Sequence, residues 1–379
     1  MIQGRGSRGT RRRAGGLDAD PRGAIRGRGA SDNPSNRFER IIYEEDCEED
    51  HESGRAGREA EGAPGPKTQY LRDPSRSVLA FNQSPDVGFD TSLNPYRGCE
   101  HGCIYCYARP SHEYLGFSAG LDFETRILVK EDAPALLRRE FGAPGWKARA
   151  VALSGVTDPY QPIERRLLLT RRCLEVFAEF RNPIVIVTKN GLVTRDVDLL
   201  RELADCDAAR VHLSVTSLDP NLARRMEPRA SHPAQRLRAI EALARAGVPV
   251  GVMVAPVIPG LTDHEIPAIL EAAARAGARF AGYITLRLPH GVKTLFEAWL
   301  RQHHPDRADK VLNRVRDLRG GRLNDPRFGS RMRGEGPFAE QIRQLFELAS
   351  RRAGFESTPP PLSAAAFRRP PPAQLGLFA

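Results

Sequence analysis

Cysteine is scarce in this chain, six residues in 379. So few thiols over such a length exclude the disulfide framework of a small secreted domain. No run of about 18 apolar residues occurs, so no ordinary membrane-spanning helix is expected. The N-terminus lacks the apolar core of a secretory signal. These absences predict a soluble, cytoplasmic protein with no membrane partner, in a compartment that keeps thiols reduced.

Charge, by contrast, is plentiful and unevenly placed. The formal net charge is +10. Residues 1–28 hold eight arginines and two aspartates, a net of +6, which leaves about +4 for the rest. Arginine- and glycine-rich arms of this kind resemble nucleic-acid-binding segments, and a solubilising tail has the same composition. Seven of the nine residues from Glu44 to Glu52 are acidic. With so little apolar surface to bury, residues 1–67 are expected to be a disordered arm.

From residue 68 the pattern changes. Apolar, β-rich runs at 148–153, 183–188, 210–216, 249–256 and 282–286 alternate with amphipathic segments at 165–180, 196–204, 233–246 and 265–276. Asp196 and Pro233 read as helix starts. A further strand just before Cys99 makes six strand–helix units, hence an α/β fold with a parallel sheet and right-handed crossovers. The alternation alone fits either a barrel or a doubly wound sheet.

Cys99, Cys103 and Cys106 are spaced Cys-x3-Cys-x2-Cys within Asn94-Pro95-Tyr96-Arg97-Gly98-Cys99-Glu100-His101-Gly102-Cys103-Ile104-Tyr105-Cys106-Tyr107. A 4Fe–4S cluster normally takes four thiolates. Three, with no fourth nearby, leave one iron open to a ligand. A zinc site completed by His101 or His112 is the competing expectation, although the usual paired ligand spacing of zinc modules is absent. The motif resembles that of the radical SAM superfamily. The resemblance implies a partial (β/α)6 TIM-like barrel, a 4Fe–4S cluster, and S-adenosylmethionine chelated on the open iron. It also implies reductive cleavage of that cofactor to a 5′-deoxyadenosyl radical, hence an electron donor. Chemistry in such barrels sits at the C-terminal ends of the strands.

The run Cys103-Ile104-Tyr105-Cys106-Tyr107 and the Thr188-Lys189 pair resemble the spore photoproduct lyase-related branch. That resemblance implies Lys189 on the cofactor carboxylate, with Ser214, Thr157 and Asp158 on its ribose or amino-acid part and Tyr105 near adenine. The ligand's carboxylate, diol and ammonium call for a cation, hydroxyls and an anion on independent grounds. One departure stands out. Lyases of that branch carry a hydrogen-donating cysteine shortly before the paired polar residues after strand two, and Gly155 falls near its place. Cys173 lies within a helix and Cys206 on the opposite face. Repair by a thiol quench is therefore not expected, and Tyr107 is the candidate to relay a hydrogen atom.

His112, Glu113 and Tyr114 could line the substrate entrance, and Arg287, His290 and Lys293 could hold a phosphate. The stretch Arg314–Arg333 carries seven arginines, with Phe328 and three glycines, and suits phosphate contact. Residues 68–292 are assigned to the barrel and 293–354 to a helical, basic extension. Residues 355–379 form a proline-rich tail. It ends in Gln374-Leu375-Gly376-Leu377-Phe378, which resembles the peptide that binds the bacterial sliding clamp. The leading expectation is a radical SAM enzyme acting on DNA or RNA. The alternatives are one acting on a protein or small metabolite, and a non-catalytic cluster-bearing binding module.

Overall fold

Runs such as Ile184-Val185-Ile186-Val187 are β-branched, stiff at χ1 and suited to a pleated surface, and they become strands. The computed structural model describes residues 25–39 and 66–370. Its strands are β1 (Gln69–Arg72), β2 (Leu79–Phe81), β3 (Thr91–Leu93), β4 (Tyr96–Arg97), β5 (Arg126–Val129), β6 (Val151–Leu153), β7 (Ile184–Thr188), β8 (Ala209–Ser214), β9 (Val250–Val257) and β10 (Phe280–Thr285). The larger sheet runs β10-β9-β8-β7-β6-β3-β2. Its strands from β3 to β10 are parallel and in chain order, and β2 pairs antiparallel at one edge. This is the expected partial (β/α)6 barrel, open between β10 and β2.

The strand expected just before Cys99 is present as β3, which pairs parallel with β6. The segment that touches the cysteine loop, β4, belongs to a small sheet ordered β1-β5-β4. The first barrel strand is β3, which is only three residues long.

The helices are α1 (Leu121–Thr125), α2 (Ala133–Gly142), α3 (Glu164–Leu167), α4 (Leu169–Phe180), α5 (Val197–Ala204), α6 (Pro220–Met226), α7 (Pro233–Arg245), α8 (Ile266–Arg275), α9 (Val292–His303), α10 (Ala308–Asp317) and α11 (Pro337–Arg352). Leu174, Phe177, Leu200, Leu243, Ile269 and Leu270 from α4, α5, α7 and α8 share one core with Ile186, Val211, Leu213 and Val252 of the sheet. Because side chains alternate along a strand, the other face of β8 turns Arg210, His212 and Ser214 inward. The helix expected over 165–180 divides into α3 and α4 at Leu168, which adopts φ 52. At α7, His232 and Gln235 form a capping box ahead of Pro233.

The terminal segments are more anchored than expected. Disorder over 1–67 does not hold for residues 25–39, which lie on the barrel. There the Gly29 and Ala30 amides donate to the Glu124 carboxylate at 3.0 and 2.9 Å. Residues 1–24 and 40–65 lie outside the described residues, Cys47 among them. The tail is no free linker as far as Pro370. The Ser363 amide donates to Asp207 O and the Arg368 amide to Phe180 O, both at 2.9 Å, and Phe367 packs near Phe180. It thus straps the N-terminal ends of the strands. The clamp-like peptide Gln374–Phe378 lies outside the described residues.

The extension builds a second core, in which Phe296, Trp299, Leu312 and Val315 join Ile104, Met226 and Leu286. The arginine-rich stretch is largely self-engaged. Arg319 is buried and donates to Ser330 O, Arg331 O, Leu286 O and Thr285 Oγ1 at 2.8–3.0 Å. Arg327 pairs with Asp325, and Arg331 with Asp86. Among the described residues no helix is long and apolar enough to cross a membrane.

Candidate active site

The cysteine loop is held from behind by a buried ion pair. Arg109 donates to Cys103 O at 3.0 Å, Gly102 O at 3.3 Å and Gly120 O at 2.9 Å, and pairs with Glu124 at 2.5 Å. Both side chains are fully buried. Gly102 sits at φ 66, and a Cβ there would stand 2.6 Å from Glu124 Oε2. Only glycine serves both demands. On the other side, Gln161 accepts from the Glu100 amide at 2.9 Å and donates to Gly98 O.

The three thiols lie near enough to influence one another's ionisation, although among the described residues they are not drawn into a ready-made ligand cluster. Burial raises the pKa of Cys99 well above its usual value, with Asp158 and then Cys103 and Cys106 adding to the rise. Burial likewise raises Cys103 and Cys106. Metal binding must therefore displace protons. The donor set, three thiols on one loop, fits an iron–sulfur cluster with an open position. Neither histidine is placed as a fourth ligand. His101 turns to Asp158, 3.4 Å from Nδ1, and to Asn190. His112 is sealed beneath Phe117 and Phe123 with both ring nitrogens unpartnered among the described residues, and burial pulls its pKa down to about 4. The substrate-entrance expectation is thus corrected for His112, and for Glu113, which is buried against Arg37. Tyr114 is exposed. Cys173 is buried in α4, and Cys206 lies on the turn into β8 at the far end.

Asp158 organises the loop after β6. Its Oδ1 accepts from Thr188 Oγ1 and the Tyr160 amide at 2.7 and 2.9 Å, and its Oδ2 accepts from the Lys189 amide at 2.7 Å. Burial works to raise its pKa, but His101 and these hydrogen bonds prevail and lower it. Thr157 is buried and donates to Tyr96 O. Both residues are therefore engaged in shaping the loop.

Lys189 reaches the centre. Its Nζ lies 2.8 Å from Ala255 O, 3.1 Å from Thr216 Oγ1 and 3.2 Å from Glu227 Oε1. Glu227 also accepts from Tyr105 and Thr216 and pairs with Arg236, which donates to Ser214 O. Glu227 is fully buried. Burial alone would raise its pKa, yet Arg236 and Lys189 hold it far below the usual carboxylate range. Tyr105 is thus locked into a polar network, with Lys189 Nζ 5.6 Å from its ring centroid. Nothing local in the sequence marks Glu227 and Arg236 as a pair.

At the mouth, Tyr107 is half-exposed and donates to Gly155 O at 2.8 Å. The amides of Gly155, Val156 and Thr157 converge on Asn94 Oδ1 at 3.0, 2.8 and 3.2 Å. A Cβ on Gly155 would stand 3.0 Å from Ser92 Oγ. Arg287 leans over Tyr107, 5.5 Å from guanidinium carbon to ring centroid. His290 instead contacts Arg37 at 2.9 Å on the surface.

A partial parallel barrel with a three-thiol loop at the C-terminal strand ends defines a cluster-binding α/β enzyme. The chain belongs to the radical SAM superfamily, whose profile matches residues 93–273. It is 36% identical over 305 residues to the uncharacterized protein Rv2578c of Mycobacterium tuberculosis, spanning 79% of this chain and 86% of that one. It is 28% identical over 235 residues to the uncharacterized protein MJ0683 of Methanocaldococcus jannaschii, spanning 62% and 84%. Among solved structures it is similar to a spore photoproduct lyase variant, with TM-score 0.54 and 18% identity over 76% of this chain and 80% of that one. The cofactors are accordingly a 4Fe–4S cluster and S-adenosylmethionine.

Proposed function

We propose that this radical SAM enzyme abstracts hydrogen from nucleic acid, in DNA repair or modification. The observation that carries this is a set of arginine–aromatic pairs on the segments around the mouth. Arg287 lies over Tyr107 at 5.5 Å, Arg37 over Phe38 at 5.0 Å and Arg331 over Phe328 at 4.3 Å. Tyr107, Phe38 and Phe328 are all exposed. Aromatic faces beside cations suit bases and their phosphates. Two similar proteins support the reading by name: a spore photoproduct lyase solved with dinucleoside spore photoproduct, and a Pseudomonas phage M6 radical SAM Nα-GlyT isomerase, 25% identical over 173 residues.

Bound at Cys99, Cys103 and Cys106, the cluster with S-adenosylmethionine supplies a 5′-deoxyadenosyl radical. Lys189 would meet the cofactor carboxylate, exchanging part of its Glu227 contact for it. Ser214, on the lumen face of β8, would face the ribose. Thr157 and Asp158 would shape the loop beneath. With Gly155 in place of a thiol, the Tyr107 hydroxyl would give a hydrogen atom to the substrate radical, and the tyrosyl radical left behind would be restored by one electron from the donor that reduces the cluster and one proton from solvent. Gln374–Phe378 would bring the enzyme to DNA through a sliding clamp.

The test is anaerobic. The protein is loaded with iron and sulfide, reduced with dithionite, and assayed for 5′-deoxyadenosine with and without oligonucleotides carrying damaged or modified bases. Cluster-dependent formation, stimulated by one of these substrates and abolished in Cys103→Ala, is expected. Formation that no oligonucleotide stimulates, but a peptide or metabolite does, would overturn the nucleic-acid proposal.

A further inference from the structure

Among the described residues, the fully buried guanidinium groups at the C-terminal end of the barrel are all engaged. Arg109 has Glu124 and four carbonyl oxygens, and Arg236 has Glu227 and two carbonyls. Arg319 has three carbonyls and a hydroxyl. Arg287 departs from this rule at the place where chemistry occurs. It follows β10 at the C-terminal end of the barrel and leans over Tyr107, next to the third cluster cysteine. Its Nε is buried with no hydrogen-bond partner among the described residues. Among those residues its Nη1 hydrogen-bonds only to the Met332 sulfur, at 3.5 Å.

No carboxylate among the described residues forms an ion pair with Arg287. Asp86 is near enough to be felt, but it is already bound by Arg331 at 2.5 Å and by the Gly329 amide at 2.7 Å. Desolvation and then Arg331 lower the Arg287 pKa, against weaker help from Tyr107 and Asp86. A guanidinium presents five donors in a rigid fork. Leaving part of that fork dry and unpaired is costly unless an anion arrives to complete it.

We propose that Arg287 receives an anionic phosphate oxygen of the substrate and so fixes the reacting nucleotide above Tyr107. The phosphate chemistry stands on the unpaired guanidinium; only its source, a polynucleotide, rests on the proposed function. His290 and Lys293 are not part of this receptor. His290 is tied to Arg37 on the outer rim, and Lys293 is exposed there.

The test uses the full-length, cluster-loaded protein. Binding of a short single-stranded oligodeoxynucleotide is followed by fluorescence anisotropy across salt concentrations, beside thymidine 5′-phosphate and inorganic phosphate as competitors. Arg287→Met keeps the bulk and removes the charge, and Arg287→Lys restores the charge without the fork. Met should weaken binding at least about tenfold and lower the salt slope by about one, with Lys recovering part of the affinity. In the unmutated protein, thymidine 5′-phosphate should shield Arg287 from phenylglyoxal, read by mass spectrometry, which does not depend on a variant's folding. Equal affinities and slopes for the parent and Met variant, with equal labelling, would overturn the inference while leaving nucleic-acid binding intact. Protection by thymidine 5′-phosphate with no oligonucleotide binding would uphold the receptor and overturn the polynucleotide substrate.

Discussion

The two ends of the barrel handle buried charge in opposite ways. At the C-terminal end, Glu227 is surrounded by Arg236, Lys189, Tyr105 and Thr216, and Arg109 and Glu124 saturate each other behind the cysteine loop. At the N-terminal end, Arg210 and His212 point into the lumen beside Phe280, and Arg210 Nε and His212 Nδ1 have no partner among the described residues. Insulation replaces compensation there: Phe280 fills the space, and the tail supplies Pro360 O to Arg210 at 2.9 Å. An end that must hold a cofactor needs charges at fixed positions, and mutual pairing fixes most of them there, with Arg287 the exception. An end that merely closes the barrel can let its polar groups go neutral or half-satisfied.

The sharpest way to break this comparison is Glu227→Gln. It leaves Arg236 and Lys189 buried without their counter-charge, and should cost about 3–5 kcal/mol of unfolding free energy in urea titrations. Glu227→Asp should recover much of that. A loss below about 1 kcal/mol would mean that water, not Glu227, compensates this end.

A pH series probes both ends. Burial, with Arg210 second, holds His212 down to about 3, and burial holds His112 down to about 4. Both values lie below the unfolded value near 6.5, so the unfolded chain binds the extra protons. Each histidine should remove about 1.4 kcal/mol of stability per pH unit as pH falls below about 6.5, until its own folded pKa is reached. His212→Asn should remove one such contribution from the slope between pH 6 and 4. A slope unchanged from the parent would show that His212 titrates normally. The smallest effect expected is for Phe367→Ala on the strap. It should cost about 1–2 kcal/mol of apolar burial while leaving S-adenosylmethionine affinity as it is. A fall in that affinity would show that the two ends are coupled.

The repeating units were legible because each carries its own signal. Ile184–Thr188 is β-branched throughout, and the α7 start combines Pro233 with a capping histidine and glutamine. The strand before Cys99 was expected from the count of units, but its bounds, Thr91–Leu93, were illegible since three residues show no period. Docking of residues 25–39 was also illegible, because it depends on backbone amides meeting Glu124 nearly a hundred positions away. The same divide runs through the site. Cysteine spacing is local and announces itself. Glu227 and Arg236 acquire meaning only once the end of α6 and the start of α7 bring them to Lys189. Asp158 was found, but as a ligand candidate, and only the fold shows how many loop groups it already serves.

The unjoined edges of the large sheet have a consequence for how this enzyme can diversify. No ladder of hydrogen bonds ties β10 to β2. In their place stand the Met332 carbonyl on Thr285 and the Arg331–Asp86 pair. A closed barrel must change its strand number or stagger to alter its girth. Here girth is set by one loop and one ion pair, so a relative can accommodate a wider or narrower guest by editing some twenty residues of extension, leaving every strand in register.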